Sequence, residues 1–173
     1  MNGTLALATT LSVLTASTAS LAAGPCTPAW SNAPGNPGMS GGNVADLIVH
    51  DGGSGGGPAV YATGSFAQAG GTGGTWMLAR WNGTSWAGVG GGLVDQFSNA
   101  LEEYNGDLIV GGYFNSANNV AGTAKLARWD GTNWNSMGAA LDQFDDFIWA
   151  VKNFNDGSGN ALYVAGNYLG IGG

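Results

Sequence analysis

The chain has 173 residues, 33 of them glycine, and only 9% of its residues are charged. Eleven acidic residues against four basic ones give a net charge of −7, which leaves no electrostatic footprint for nucleic acid and repels anionic membrane surfaces. With 44% apolar residues the chain can bury a core, so it is not disordered by composition, and its length suits one domain.

The first segment, 1–23, reads as a secretory signal peptide. Leu5 to Ala23 carries no charge, and Ser17/Ala19 and Ser20/Ala22 offer small-x-small cleavage sites. Its Thr and Ser content fits a transmembrane anchor less well, so the mature chain is expected at the cell surface or outside it, with no further membrane span. Residues 24–43, with Pro25, Pro28, Pro34 and Pro37, form an extended lead-in. The lone Cys26 follows Pro25 where a lipid anchor wants a small residue; it is a structural or unpaired thiol, or pairs outside this chain.

From residue 44 the chain repeats. The units span 44–97, 98–144 and, in part, 145–173. A first strand carries Leu47, Leu101 and Val151, and three residues later stand His50, Tyr104 and Phe154. The second strand alternates Val60, Ala62, Gly64, Phe66; Leu108, Val110, Gly112, Phe114; and Leu162, Val164, Gly166, Tyr168, which puts each set on one face. Gly64, Gly112 and Gly166 recur at one place, suited to a bulge or to close approach of a neighbouring strand.

The third and fourth strands form a hairpin. Leu78-Ala79-Arg80-Trp81-Asn82-Gly83-Thr84-Ser85-Trp86 returns as Leu126-Ala127-Arg128-Trp129-Asp130-Gly131-Thr132-Asn133-Trp134. Asn82-Gly83 and Asp130-Gly131 predict two-residue type I′ turns, which pair Trp81 with Thr84 and Ala79 with Trp86. Gly-rich connectors 67–75 and 115–123 lie inside the units, and Asp95-Gln96-Phe97 recurs as Asp142-Gln143-Phe144 between them.

A period of about 50 residues built from short strands is the mark of a β-propeller blade. The Gly111-Gly112 pair after an apolar strand, followed by Trp129 and Trp134, resembles the Kelch repeat of secreted bacterial proteins. Gly64-Ser65-Phe66, Ala69-Gly70-Gly71 and Ala127 to Trp134 carry the same resemblance over residues 44–173. It implies an all-β, incomplete propeller of two and a half four-stranded blades, completed by further blades in the same chain or by another subunit. It implies no catalytic residues.

Each chemistry-bearing residue has a structural reading beside the functional one. His50, the single histidine, fills an aromatic packing slot shared with Tyr104 and Phe154 rather than a metal or catalytic site. Arg80 and Arg128 occupy equivalent places, so they do not converge on one pocket; stacking on Trp, or pairing with an acid such as Asp95 or Asp142, is expected. The order Asp130-Gly131-Thr132-Asn133-Trp134 departs from the sialidase Asp-box. Asp51 to Gly55 and Asn155 to Gly159 suit turns better than calcium loops, calcium being the one cofactor considered. Glu102-Glu103 and Asp145-Asp146 project to opposite faces of a strand, and Asn82-Gly83-Thr84 is a glycosylation sequon that Asp130 matches as a turn. The expected function is a non-catalytic module binding protein or glycan; the alternative is part of a glycan-acting hydrolase or lyase whose active residues lie outside this chain.

Overall fold

Fourteen strands, β1–β14, order the chain in a computed structural model that describes residues 38–52, 57–138, 141 and 146–168. They are β1 (Met39–Ser40), β2 (Val44–His50), β3 (Ala59–Gly64), β4 (Gln68–Ala69), β5 (Leu78–Trp81), β6 (Trp86–Gly88), β7 (Leu93–Val94), β8 (Ser98–Tyr104), β9 (Asp107–Gly112), β10 (Ser116–Ala117), β11 (Leu126–Trp129), β12 (Trp134–Ser136), β13 (Phe147–Asn155) and β14 (Asn160–Asn167). The segment expected to be a signal peptide, Cys26, most of the expected lead-in and Asp142 to Asp145 lie outside the described residues. Among those described, no helix is long and apolar enough to cross a membrane.

Alternating apolar residues and short turns produce antiparallel meanders. The first sheet runs β2-β3-β5-β6, the second β8-β9-β11-β12, and the third is the hairpin β13-β14. The chain is therefore all-β among its described residues. In the first strands, Leu47 pairs with Ala62, Leu101 with Val110 and Val151 with Val164, so the three sheets share one register.

Each first strand carries a bulge near its start, at Ala45, Asn99 and Trp149, opposite Gly64, Gly112 and Gly166. The glycine is what lets the bulged backbone approach. A Cβ on Gly64 would lie 2.1 Å from the Asn43 carbonyl oxygen, and one on Gly166 2.1 Å from that of Phe147.

The hairpins correct the turn expected from Asn-Gly and Asp-Gly. Trp81 pairs with Trp86 and Trp129 with Trp134, so each loop holds four residues rather than two. Of the two turn residues, only the glycine has positive φ, +95° at Gly83 and +92° at Gly131, whereas a type I′ turn needs both. The side chain takes over the turn instead. Asn82 Oδ1 accepts the N–H groups of Thr84 and Ser85, both at 2.9 Å, and Asp130 Oδ1 accepts those of Thr132 and Asn133 at 2.9 and 2.7 Å. The tryptophans consequently face each other directly, with ring centres 5.4 and 5.1 Å apart.

The connectors are also ordered. β4 pairs with β1, and β10 with β7, in small two-stranded sheets. A buried threonine staples each connector: Thr75 Oγ1 accepts the Ala69 N–H and donates to the Thr72 carbonyl, and Thr123 Oγ1 does the same between Ala117 and Val120.

The sheets pack face to face, burying a core on each side of the second one. Tyr61, Leu78, Leu101, Leu108, Val110 and Ala127 fill the layer between the first and second sheets. Ala100, Ile109, Leu126, Ile148 and Val151 fill the layer between the second and third. At roughly 25 cal/mol per Å² of apolar area, these layers are what makes the short strands stable. The strand β8 sits at the centre: Glu103 reaches back to His50, and Glu102 forward to Lys152.

Candidate functional site

The shared register allows the repeats to be compared position by position, and they diverge at one end of the sheets. There the first sheet presents Asn43 and Ser65, whose side chains hydrogen-bond to each other. The second presents Phe97 and Tyr113 at those positions, and the third Phe147 and Asn167. The bulge adds Trp149, exposed, where the earlier sheets have Ala45 and Asn99.

Together Phe97, Tyr113, Phe147, Trp149 and Asn167 line a cavity of about 300 Å³ between the second and third sheets. The rings form a continuous series. Phe97 and Tyr113 lie 5.6 Å apart, Tyr113 and Phe147 meet edge to face at 6.2 Å and 88°, and Phe147 and Trp149 at 4.6 Å and 81°. Each contact is within the favoured range for aromatic pairs, so the rings support one another.

Beneath the cleft the repeat diverges again. Lys125 stands where the first sheet has Met77, and both hold positive φ, +64° and +58°. Lys125 is only 4% exposed. Its Nζ donates to the Tyr113 carbonyl at 3.2 Å and to Asn115 Oδ1 at 3.3 Å, and lies 4.2 Å from the centre of the Tyr113 ring. Burial pulls its pKa below the usual lysine value, while the nearby buried Asp146 pushes it back up.

The residues singled out by sequence lie elsewhere. Arg128 donates to Asp107 at 2.8 Å, not to Asp95, because it projects toward the β8–β9 turn; Asp95 instead accepts from Asn115 Nδ2. Arg80 is paired across the strands with Tyr61, whose pKa is raised mainly by burial and lowered in part by the Arg80 guanidinium. The two arginines therefore serve different partners. A polar groove of about 240 Å³ beside Arg128, Tyr104 and Met137 contains the Arg128–Asp107 pair.

The repeat tryptophans are packing groups. A Cβ on Gly70 would strike Trp86 and one on Gly90 would strike Trp129, and Trp134 Nε1 donates to the Gly90 carbonyl at 3.0 Å. His50 is buried edge-on to Tyr61 at 5.6 Å, with Nδ1 bonded to Glu103 at 2.9 Å. In the turn after β13, Asn155 and Asp156 accept backbone N–H groups from Gly157, Ser158 and Gly159. Among the described residues, no group of three His, Cys, Asp or Glu is placed to hold a metal ion.

Reading by repeat consensus missed Phe97, Tyr113, Lys125, Phe147 and Trp149, because it looked for what recurs. The signal available was the column that changes: Asn43, Phe97 and Phe147, or Met77 and Lys125. No protein-family model, curated protein or solved structure matches the chain.

Proposed function

We propose that the chain is a propeller-forming part of a secreted or cell-surface protein that binds its ligand without transforming it, and that the aromatic cleft receives a saccharide. The carrying observation is the cleft itself: four aromatic side chains, from two sheets, gathered where the repeats part company. Four-stranded meanders packed face to face on a common register support the propeller reading.

The cleft's electrostatics select among ligands. An aromatic face attracts cations, but the Lys125 ammonium already lies over the Tyr113 ring, so a cationic ligand meets repulsion there. A neutral sugar ring does not. It offers an apolar C–H face to Trp149 and Phe147 and a hydroxyl rim to Asn167, and a cavity of about 300 Å³ is at the small end of ligand sites.

The test is a titration with neutral oligosaccharides of gluco, manno, galacto and xylo configuration, followed by tryptophan fluorescence. Saturable binding to at least one, weakened about tenfold by Trp149→Ala through loss of about 1.4 kcal/mol of stacking, is the expected result. Absence of a saturable response to all of them, in protein with an intact near-UV spectrum, removes the saccharide reading.

A further inference from the structure

Each sheet has a leading face, turned to the sheet before it, and a trailing face, turned to the sheet after it. Between the first and second sheets, the trailing pair His50 and Tyr61 is buried under Leu101 and Leu108 of the next leading face. At the second junction, Val151, Leu162 and Val164 cover Ile109 and Leu126 in the same manner.

The third sheet repeats the trailing pair. Phe154 and Tyr163 hold the positions of His50 and Tyr61, and they meet at nearly the same geometry: 5.9 Å and 66°, against 5.6 Å and 64°. Yet Phe154 is 58% and Tyr163 48% exposed. The first sheet has the converse surface. Leu47 and Val49 hold the leading positions of Leu101 and Glu103, and are 58% and 66% exposed.

The two open faces also match in chemistry. At the closed junction a polar trailing residue, His50, meets a polar leading one, Glu103. At the open faces both partners have become apolar, Phe154 for His50 and Val49 for Glu103. An apolar trailing face beside Glu103, or His50 beside Val49, would leave a polar group poorly matched.

We infer that the trailing face carrying Phe154 and Tyr163 docks on the leading face carrying Leu47 and Val49 of a second copy of this chain, so that copies join head to tail through the junction already used between sheets. Such a contact is heterologous, one patch meeting a different patch. It uses neither the cleft nor its ligand, and stands whether or not a saccharide binds.

The experiment is sedimentation of the mature chain with Leu47→Lys and Tyr163→Lys, each substitution lying at an exposed position. The unsubstituted protein is expected to sediment as two or more chains at micromolar concentration. Either substitution alone abolishes that association, and mixing the two variants restores a one-to-one dimer, because each retains the face the other has lost. A monomeric unsubstituted protein overturns the inference. So does a dimer that Tyr163→Lys breaks and Leu47→Lys spares, since that contact joins two trailing faces.

Discussion

Lys125 holds its ammonium 4.2 Å from the centre of the Tyr113 ring while donating to the Tyr113 carbonyl, so one residue receives the cation by both ring and backbone. In the first repeat Met77 occupies the same backbone position with the same sign of φ, and Gln96 stands before Phe97 where Asp146 stands before Phe147, so cation and acid change together. Lys125→Met is expected to cost about 3 kcal/mol, because it takes the cation away from the buried Asp146 carboxylate and leaves that charge less compensated. The pH dependence should change with it. The folded pKa of Lys125 is lowered, so the unfolded chain holds more protons between that value and about 10.4, and the lysine's burial penalty is relieved as pH rises through this window. Urea denaturation of both proteins across alkaline pH should show that rise in the unsubstituted protein relative to Lys125→Met.

His50 keeps Nε2 buried with no hydrogen-bond partner among the described residues, while Nδ1 holds the half-exposed Glu103. Phe154 holds the equivalent position on an open face, whereas His50 lies buried under the next sheet. His50→Phe should cost about 1–2 kcal/mol, since loss of the Glu103 hydrogen bond and the tighter fit outweigh relief of the unsatisfied nitrogen. Tyr61→Ala, which empties the ring packed against His50, should cost about 3 kcal/mol. Denaturant midpoints of the two variants distinguish these outcomes.

Asp130 and Asn82 perform the same turn with different titration behaviour. Asp130 has a lowered pKa, chiefly through the Asn133 N–H, then the Asn135 side chain and the Thr132 N–H. Its contribution is therefore complete above about 3.9 and is lost as pH falls through the lower folded value. Indole N–H resonances of Trp129 and Trp134 should shift in that acidic range, and Asp130→Asn should remove the transition while preserving the hairpin.

Gly112 faces the bulge so closely that an added Cβ would lie 2.5 Å from Ser98 Cα and 2.6 Å from the Phe97 carbonyl oxygen. Gly112→Ala should cost about 3 kcal/mol, the upper end of overpacking, because backbone has to move. Gly73 meets nothing within 4 Å, so Gly73→Ala should change stability by less than about 0.5 kcal/mol. Thermal midpoints report both.

The long strands were legible in the sequence because alternation over six or more residues leaves little doubt about face, as Leu108, Val110 and Gly112 illustrate. The two-residue strands were not, since Gln68–Ala69 and Ser116–Ala117 are too short to show a period. The hairpin register was misread for a different reason. Asn-Gly is compatible with two turn geometries, and the choice lies in whether the Asn82 side chain or its backbone closes the loop. The cleft was hidden because its residues come from separate repeats, and only the packing of β8–β9 against β13–β14 brings Tyr113 to Phe147.

The bulges at Ala45, Asn99 and Trp149 separate two kinds of selection. Beyond the bulge, β2, β8 and β13 must keep the alternation that fills the layers between sheets, and each substitution there is constrained by a neighbour. Before it, the extra residue breaks the alternation, so Asn43, Phe97 and Phe147 are released from the parity of the core. A repeat built this way can acquire a new recognition surface by point substitution at its entrance, with no strand shifted to accommodate it.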